Sequence, residues 1–254
     1  MDKRFRKKIL YGAFYLSVLV GIISLFYFAL IKPAPSCFDG IRNQGEEGID
    51  CGTVCSNVCI PQNIKPLSAV DRPLIFQFPN GHLSVLGSVS NPNVGYASKS
   101  FSYTFILYDD KGTVLQQFTG NSYIYGGQVK YLLLPNITTV NGVSYAEVKF
   151  GRPQWIPASD FPGPPRLEIT GIKTDASGIM LAANGQITDM DTVAFPKIEI
   201  VTIFKGTLGQ VAGASQTEID NLAPNESRTF TVLYPQITNL DQNGTKVFAY
   251  AERQ

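Results

Sequence analysis

Four cysteines, Cys37, Cys51, Cys55 and Cys59, lie in one short stretch of a 254-residue chain and are its only thiols. In an exported segment an even cluster of this kind reads as two disulfides, with three pairings open and nothing in the spacing to choose among them. Four thiolates could instead hold Zn²⁺, but no histidine lies near, and export favours the covalent reading. Between the cysteines stand the oxygen donors Asp39, Asn43, Glu46, Glu47 and Asp50. Ca²⁺ takes about six to eight oxygens, and nearby glycines allow the tight path that would converge them. Asp39, Asn43, Glu46 and Asp50 are therefore candidate ligands of a structural calcium, the one cofactor the sequence suggests. The D-x-D-x-D-G order of an EF-hand is missing, and the same residues are strong turn formers in a disulfide-tied loop. Both readings stay open.

Other chemistry is sparse. His82 is the single histidine, in an expected strand, so no Ser-His-Asp or multi-histidine metal set can be assembled in one chain. No G-x-S-x-G, P-loop or dinucleotide fingerprint occurs in a strand–helix context. The carboxylates of Asp109-Asp110 and of Asp189 and Asp191 fall at turns, where solvated roles suffice. The expectation is a protein that is not an enzyme. The chain holds 21 basic and 20 acidic residues, for a net charge of +1. Its first eight residues carry five of the basic groups and one acid, leaving the remainder mildly acidic and a poor partner for nucleic acid.

Upstream of the cysteines, Ile9–Ile31 contains no charged residue. As a helix it would be about 34 Å long, enough for a hydrocarbon core of about 30 Å. Lys3, Arg4, Arg6, Lys7 and Lys8 precede it and only Lys32 follows closely, so the amino terminus is expected inside and the rest outside. The partner of residues 9–31 is then the lipid bilayer, and the location a single-pass position in a cytoplasmic (inner) membrane. The rival is a signal peptide cleaved near Ala34-Pro35-Ser36, disfavoured by the length of the apolar run and by the intervening proline. Ala13, Ser17 and Gly21 form a small-xxx-small face that would suit a homo-oligomer, though ordinary small residues in a lipid-facing helix are the favoured explanation.

Beyond the cysteines the pattern is that of strands. Leu74–Phe78, His82–Val89, Lys99–Tyr108, Thr113–Phe118, Val129–Leu134 and Ser144–Phe150 alternate or run apolar between turn signals. In Lys99–Tyr108, Phe101, Tyr103, Phe105 and Leu107 share one face. The segment from Cys37 to Cys59 resembles a small cysteine-rich module of exported proteins, roughly C-x-D-G-x-x-N-x-x-E-x-G-x-D-C-G-G-x-C-x-x-C, departing from it at Thr53 and in the last cysteine spacing. Phe105, Leu107, Tyr108 and Asp109, with the turn closed by Gly112, match the motif for which the FxLYD family is named. That resemblance implies an immunoglobulin- or fibronectin-like β-sandwich of about 90 residues, with Phe105 and Leu107 inward and Asp109 starting the hairpin turn. The pattern repeats about 97–101 residues on. Gly185–Asp189 echoes Gly87–Asn91, Ile198–Phe204 echoes the Phe105 strand, and Leu222–Val232 is similar to a later family strand, with Asn225 in place of glycine.

The expected organisation is a basic cytoplasmic tail (1–8), a transmembrane helix (9–31), a disulfide-rich module (33–61), a first sandwich (70–151), a stiff proline-rich linker (152–165) and a diverged second sandwich (166–254). Trp155 within the linker reads either as packed on a domain edge or as exposed for a partner. The fold class is an all-β ectodomain of two tandem sandwiches behind one helix. The expected function is a non-catalytic scaffold of the bacterial cell envelope with an envelope protein partner. The alternative is a surface binding or adhesion module for a ligand, glycan or protein.

Overall fold

The computed structural model describes residues 3–28, 36–78, 80–138, 142–161 and 163–253. The chain forms two compact units, Met1–Cys59 and Ile60–Gln254. In the first unit, helix α1 runs Lys3–Phe26. Its stretch Arg4–Phe26 has a mean hydropathy of 2.2 and is long and apolar enough to cross a membrane. Residues 3–8, expected as a tail, are the opening turns of this helix. Lysine and arginine are good helix formers, and no proline or glycine precedes Gly12 to stop the helix from starting early. The last residues of the expected span (29–31), Lys32, Pro33 and the Ala34-Pro35 pair lie outside the described residues. The helix and the two disulfides described below are those of a membrane or extracellular protein.

The second unit is built from antiparallel strands. The first set is β1 (Leu74–Gln77), β2 (His82–Ser90), β3 (Tyr96–Tyr108), β4 (Val114–Ile124), β5 (Val129–Thr138), β6 (Tyr145–Phe150) and β7 (Trp155–Pro157). The second set is β8 (Leu167–Asp175), β9 (Met180–Asp189), β10 (Phe195–Gly206), β11 (Val211–Leu222), β12 (Ser227–Pro235) and β13 (Leu240–Ala251). The sheet orders are β1-β2-β5 and β4-β3-β6, then β8-β9-β12 and β11-β10-β13, so the same topology occurs twice. The central strands correspond at a constant offset of 97 residues: Phe105 pairs with Phe118 as Thr202 pairs with Ser215, and Tyr108 with Val114 as Lys205 with Val211.

Each pair of sheets encloses an apolar core. The first gathers Leu83, Val85, Val89, Phe101, Phe105, Leu107, Ile124 and Leu132. The second gathers Leu181, Ile187, Ile198, Ile200, Phe204, Phe230 and Val232. Alternation predicts one wet face for β2, yet Leu83–Val89 are buried without a break. The reason is a third apolar layer, in which Leu86 and Leu133 from sheet β1-β2-β5 pack with Val201, Ile203, Ala214 and Tyr250 from sheet β11-β10-β13. A strand covered on both faces loses its polar alternation. The two sandwiches are thereby stacked into a four-sheet body.

This stacking corrects the expected spacer. Trp155–Pro157 and Phe161 do not stand free. Strand β7 pairs with β3 through Ala97 and Ile156 and through Ser98 and Trp155. Trp155 packs against the first core, and Phe161 is buried against Tyr125, their rings stacked at 4.9 Å. Three large apolar residues among the prolines gain more from burial than an extended rod would keep in water. Pro157 is tolerated because β7 is an edge strand. The first sandwich also starts before residue 70: Leu67 lies in its core, and Ser68 bridges to Ser90.

Candidate functional site

Within the cysteine module the open pairing is resolved as Cys37–Cys55 and Cys51–Cys59. No free thiol remains for zinc. Gly48 lies against the second bridge, where a Cβ would come within 2.6 Å of the Cys51 sulfur. Of the candidate calcium ligands, the three carboxylates are turned toward the backbone. Asp39 Oδ1 accepts from the Ile41 amide, and its Oδ2 accepts from the Ser36 amide and from Asn43 Nδ2. Asp50 accepts from the amides of Asp39 and Gly40. Glu46, which is buried, accepts from the amides of Asn43 and Asp50. The Asn43 side-chain amide, followed by these backbone bonds, holds the Asp39 carboxyl below the usual carboxylate range. The one group of acidic and thiol side chains within 4.8 Å of one another among the described residues is Cys37, Glu46 and Cys55, and both of its sulfurs are in a disulfide. The carboxylates of Asp39, Glu46 and Asp50 accept from backbone amides, while Asn43 Oδ1 is buried with no hydrogen-bond partner.

The Phe105 motif is a strand end and hairpin. Phe105 and Leu107 are fully buried. Tyr108 lies on the outer face, stacked on Tyr145 at 4.9 Å and donating to Glu147 Oε2. Asp109 Oδ1 accepts from the amides of Lys111 and Thr113, and the Thr113 bond is the main reason its carboxyl sits below the usual range. Gly112 closes the turn at φ 81°, a left-handed conformation costly for other residues. Asn225 meets the same demand at φ 61°. His82 bridges two strands through Asn136 Oδ1 at 3.0 Å.

The structure adds a site that the sequence reading missed. A cleft of about 310 Å³ opens between the sandwiches, walled by Tyr103, Tyr123, Glu199, Glu218, Tyr250 and Glu252. Beneath it lies Lys130 on β5, its side chain only 3% exposed. The Lys130 ammonium sits 3.8 Å from the centre of the Tyr123 ring and 5.2 Å from that of Tyr250. Glu199 Oε2 is 4.0 Å away. Burial pulls the lysine down to about 8, the Glu199 charge opposing it, and burial pushes the Glu199 carboxyl up. Lys197 in the same cleft pairs with Glu218 at 2.7 Å. The signal was present in register: Lys130 shares its parity with the inward Leu132 and Leu134, where a charged residue is out of place. Asp189 and Asp191 also depart from the reading given above. They are 0% and 5% exposed, buried rather than solvated, and Arg166 and Arg253 pair with Asp191.

No protein-family model matches the sequence, and no curated protein sequence matches it. Among solved structures, a red sea bream transglutaminase is similar to this chain at 11% identity over 73% of its length, with a TM-score of 0.20. The aligned part is 32% of that protein, so this chain spans about a third of it.

Proposed function

We propose that this chain is a non-catalytic scaffold of a bacterial cell envelope. It is held by α1 in the cytoplasmic membrane, amino terminus inside, with its disulfide module and paired FxLYD-like sandwiches outside. The observation that carries the reading is the third apolar layer formed by Leu86, Leu133, Val201 and Ile203. It turns two domains into one stiff body, which is what a spacer or assembly component needs and what a pair of independently swivelling binding modules would lack. The basic start of α1 supports the orientation. The motif residues support the same reading, since Phe105, Leu107, Asp109 and Gly112 are engaged in core and turn. The cleft above Lys130 favours the second reading, a module that holds a ligand between its sandwiches.

Two measurements test the proposal. Protease added to intact spheroplasts should degrade the chain beyond about residue 33, leaving the helix; protection until the membrane is permeabilised would reverse the topology. Cross-linking in native membranes, followed by purification of the full chain, should recover one envelope protein at fixed stoichiometry. Recovery of the monomer alone, with saturable binding of a soluble glycan or peptide, would favour the second reading.

A further inference from the structure

We propose that Lys130 and Glu199 condense into an intramolecular amide that ties the first sandwich to the second. Lys130 lies on β5 and Glu199 on β10, with Nζ and Oε2 4.0 Å apart. Neither side chain makes a hydrogen bond among the described residues. The lysine is enclosed by the rings of Tyr123 and Tyr250 and is almost fully buried. An ammonium held there without acceptors is costly, and so is a half-buried carboxylate. Burial moves both groups toward their neutral forms, the amine and the carboxylic acid, which are the two reactants of amide formation.

The step balances without any added reagent. The Nζ lone pair attacks Glu199 Cδ, forming the N–C bond. The proton released from Nζ passes to the carboxylate of Glu252, which lines the same cleft and whose charge acts on Lys130. Glu252 returns that proton to a hydroxyl of the tetrahedral carbon. The C–O bond breaks and one water leaves through the cleft. Reactive approach needs about 3–3.5 Å between the reacting atoms, and rotation of the Glu199 side chain about its outer bonds supplies the difference. Fixed positions in one packed body supply the high effective concentration that two free groups in water lack. The aromatic walls keep bulk water from the product. The product leaves no buried charge, only an amide.

The test is a mass measurement on the purified full chain in detergent. After complete reduction, the wild type should weigh about 18 Da less than its sequence, the loss of one water. Lys130→Arg should show no deficit. Proteolysis of the denatured wild type should release a branched peptide joining the segments around Lys130 and Glu199. If Lys130→Arg does not fold, that branched peptide carries the test alone. A wild type at full sequence mass, whose Lys130 is acylated by an amine reagent after denaturation, would overturn the proposal. A deficit that persists in Lys130→Arg would overturn the assignment to this pair.

Discussion

In the first sandwich the chain leaves β2 through Asn91-Pro92-Asn93; in the second it leaves β9 through Asp189-Met190-Asp191. The backbone task is the same. Asn91 Oδ1 accepts from the amide of Asn93 at 3.0 Å, and Asp189 Oδ1 from the amide of Asp191 at 2.8 Å. The third residue then clamps the segment entering the sandwich. Asn93 accepts from the Lys65 amide and donates to the Lys65 carbonyl. Asp191 accepts from the Arg166 amide, and the amide of Met190 donates to the Arg166 carbonyl instead. An asparagine offers acceptor and donor together, whereas a carboxylate offers only acceptors. The second copy therefore recruits Arg166 and Arg253 to face Asp191. It leaves one debt: Asp189 Oδ2 is buried with no partner, where Asn91 Nδ2 donates to the carbonyls of Tyr96 and Tyr125.

The cores differ in the same complementary way. In the first, a Cβ on Gly87 would meet the Phe105 ring at 2.7 Å; in the second, a Cβ on Gly185 would meet the Phe230 ring at 2.6 Å. Gly87 pairs with Leu132, and Gly185 pairs with Phe230. The ring over the glycine thus comes from the opposing sheet in one copy and from the neighbouring strand in the other. Leucine and threonine fill the vacated positions, Leu132 on β5 and Thr202 on β10. What repeats is a volume and a set of donors, not a residue string.

The comparison can be broken most sharply at those rings. Phe105→Ala and Phe230→Ala should each cost about 3–5 kcal/mol, since each empties the same role. Denaturant unfolding of the full chain measures this, with Trp155 fluorescence reporting the first sandwich and circular dichroism both. A loss below about 1 kcal/mol for either would mean its ring is not the core anchor. Next in size is the exchange of the two turns. Asn91→Asp should cost about 1–3 kcal/mol by removing a buried donor, while Asp189→Asn should gain about 1 kcal/mol by supplying one. Equal effects of the same sign would show that the turns are not equivalent. Thr202→Val should be neutral or stabilising by up to about 1 kcal/mol, because its buried hydroxyl has no partner.

The smallest effect is a pH dependence. Burial raises the Asp191 carboxyl, but the Arg166 amide and the Arg253 guanidinium outweigh it and leave it below the ordinary 3.8. A lowered acid contributes stability that is present above the unfolded value and lost as pH falls through the folded one. Acid titration of unfolding should therefore show a loss below about pH 3.8 in the wild type that is shallower in Asp191→Asn. Asn93, which cannot titrate, gives the first sandwich no matching term.

Much of this was legible from local pattern. The alternation through Phe101, Phe105 and Leu107 gave a strand and its inward face, and Asp109 with Gly112 gave the hairpin. The repeat was visible in glycine and turn residues although the Phe-x-Leu-Tyr-Asp string is absent from the second copy. What failed to show depends on contacts between distant segments. Leu86, Leu133, Val201 and Ile203 read as ordinary apolar members of strands until both faces are known to be covered. Asp191 looked solvated because Arg166 and Arg253, which pair with it, stand far away in sequence. Lys130 broke the inward pattern, but its meaning needed Glu199 and Tyr250 from the other sandwich. The carboxylates of the cysteine module carry two meanings, turn former and calcium ligand, and spacing alone does not distinguish them.

The apolar layer between the sandwiches joins unlike faces: sheet β1-β2-β5 of one copy meets sheet β11-β10-β13 of the next. A head-to-tail contact between repeats has no built-in end, and further copies could in principle add at either side without limit. Here each outward face carries a polar pair. Where the first copy shows Leu86 beside Leu133, the second shows Asn184 beside Thr231, already hydrogen-bonded to each other at 2.7 Å. Where the second shows Val201, the first shows Thr104, bonded to Thr119 at 3.0 Å. These hydroxyl and amide pairs take the places that leucine and valine hold in the joined faces. A third unit docked on either face would have to bury those paired hydroxyl and amide groups where leucine and valine stand in the joined faces.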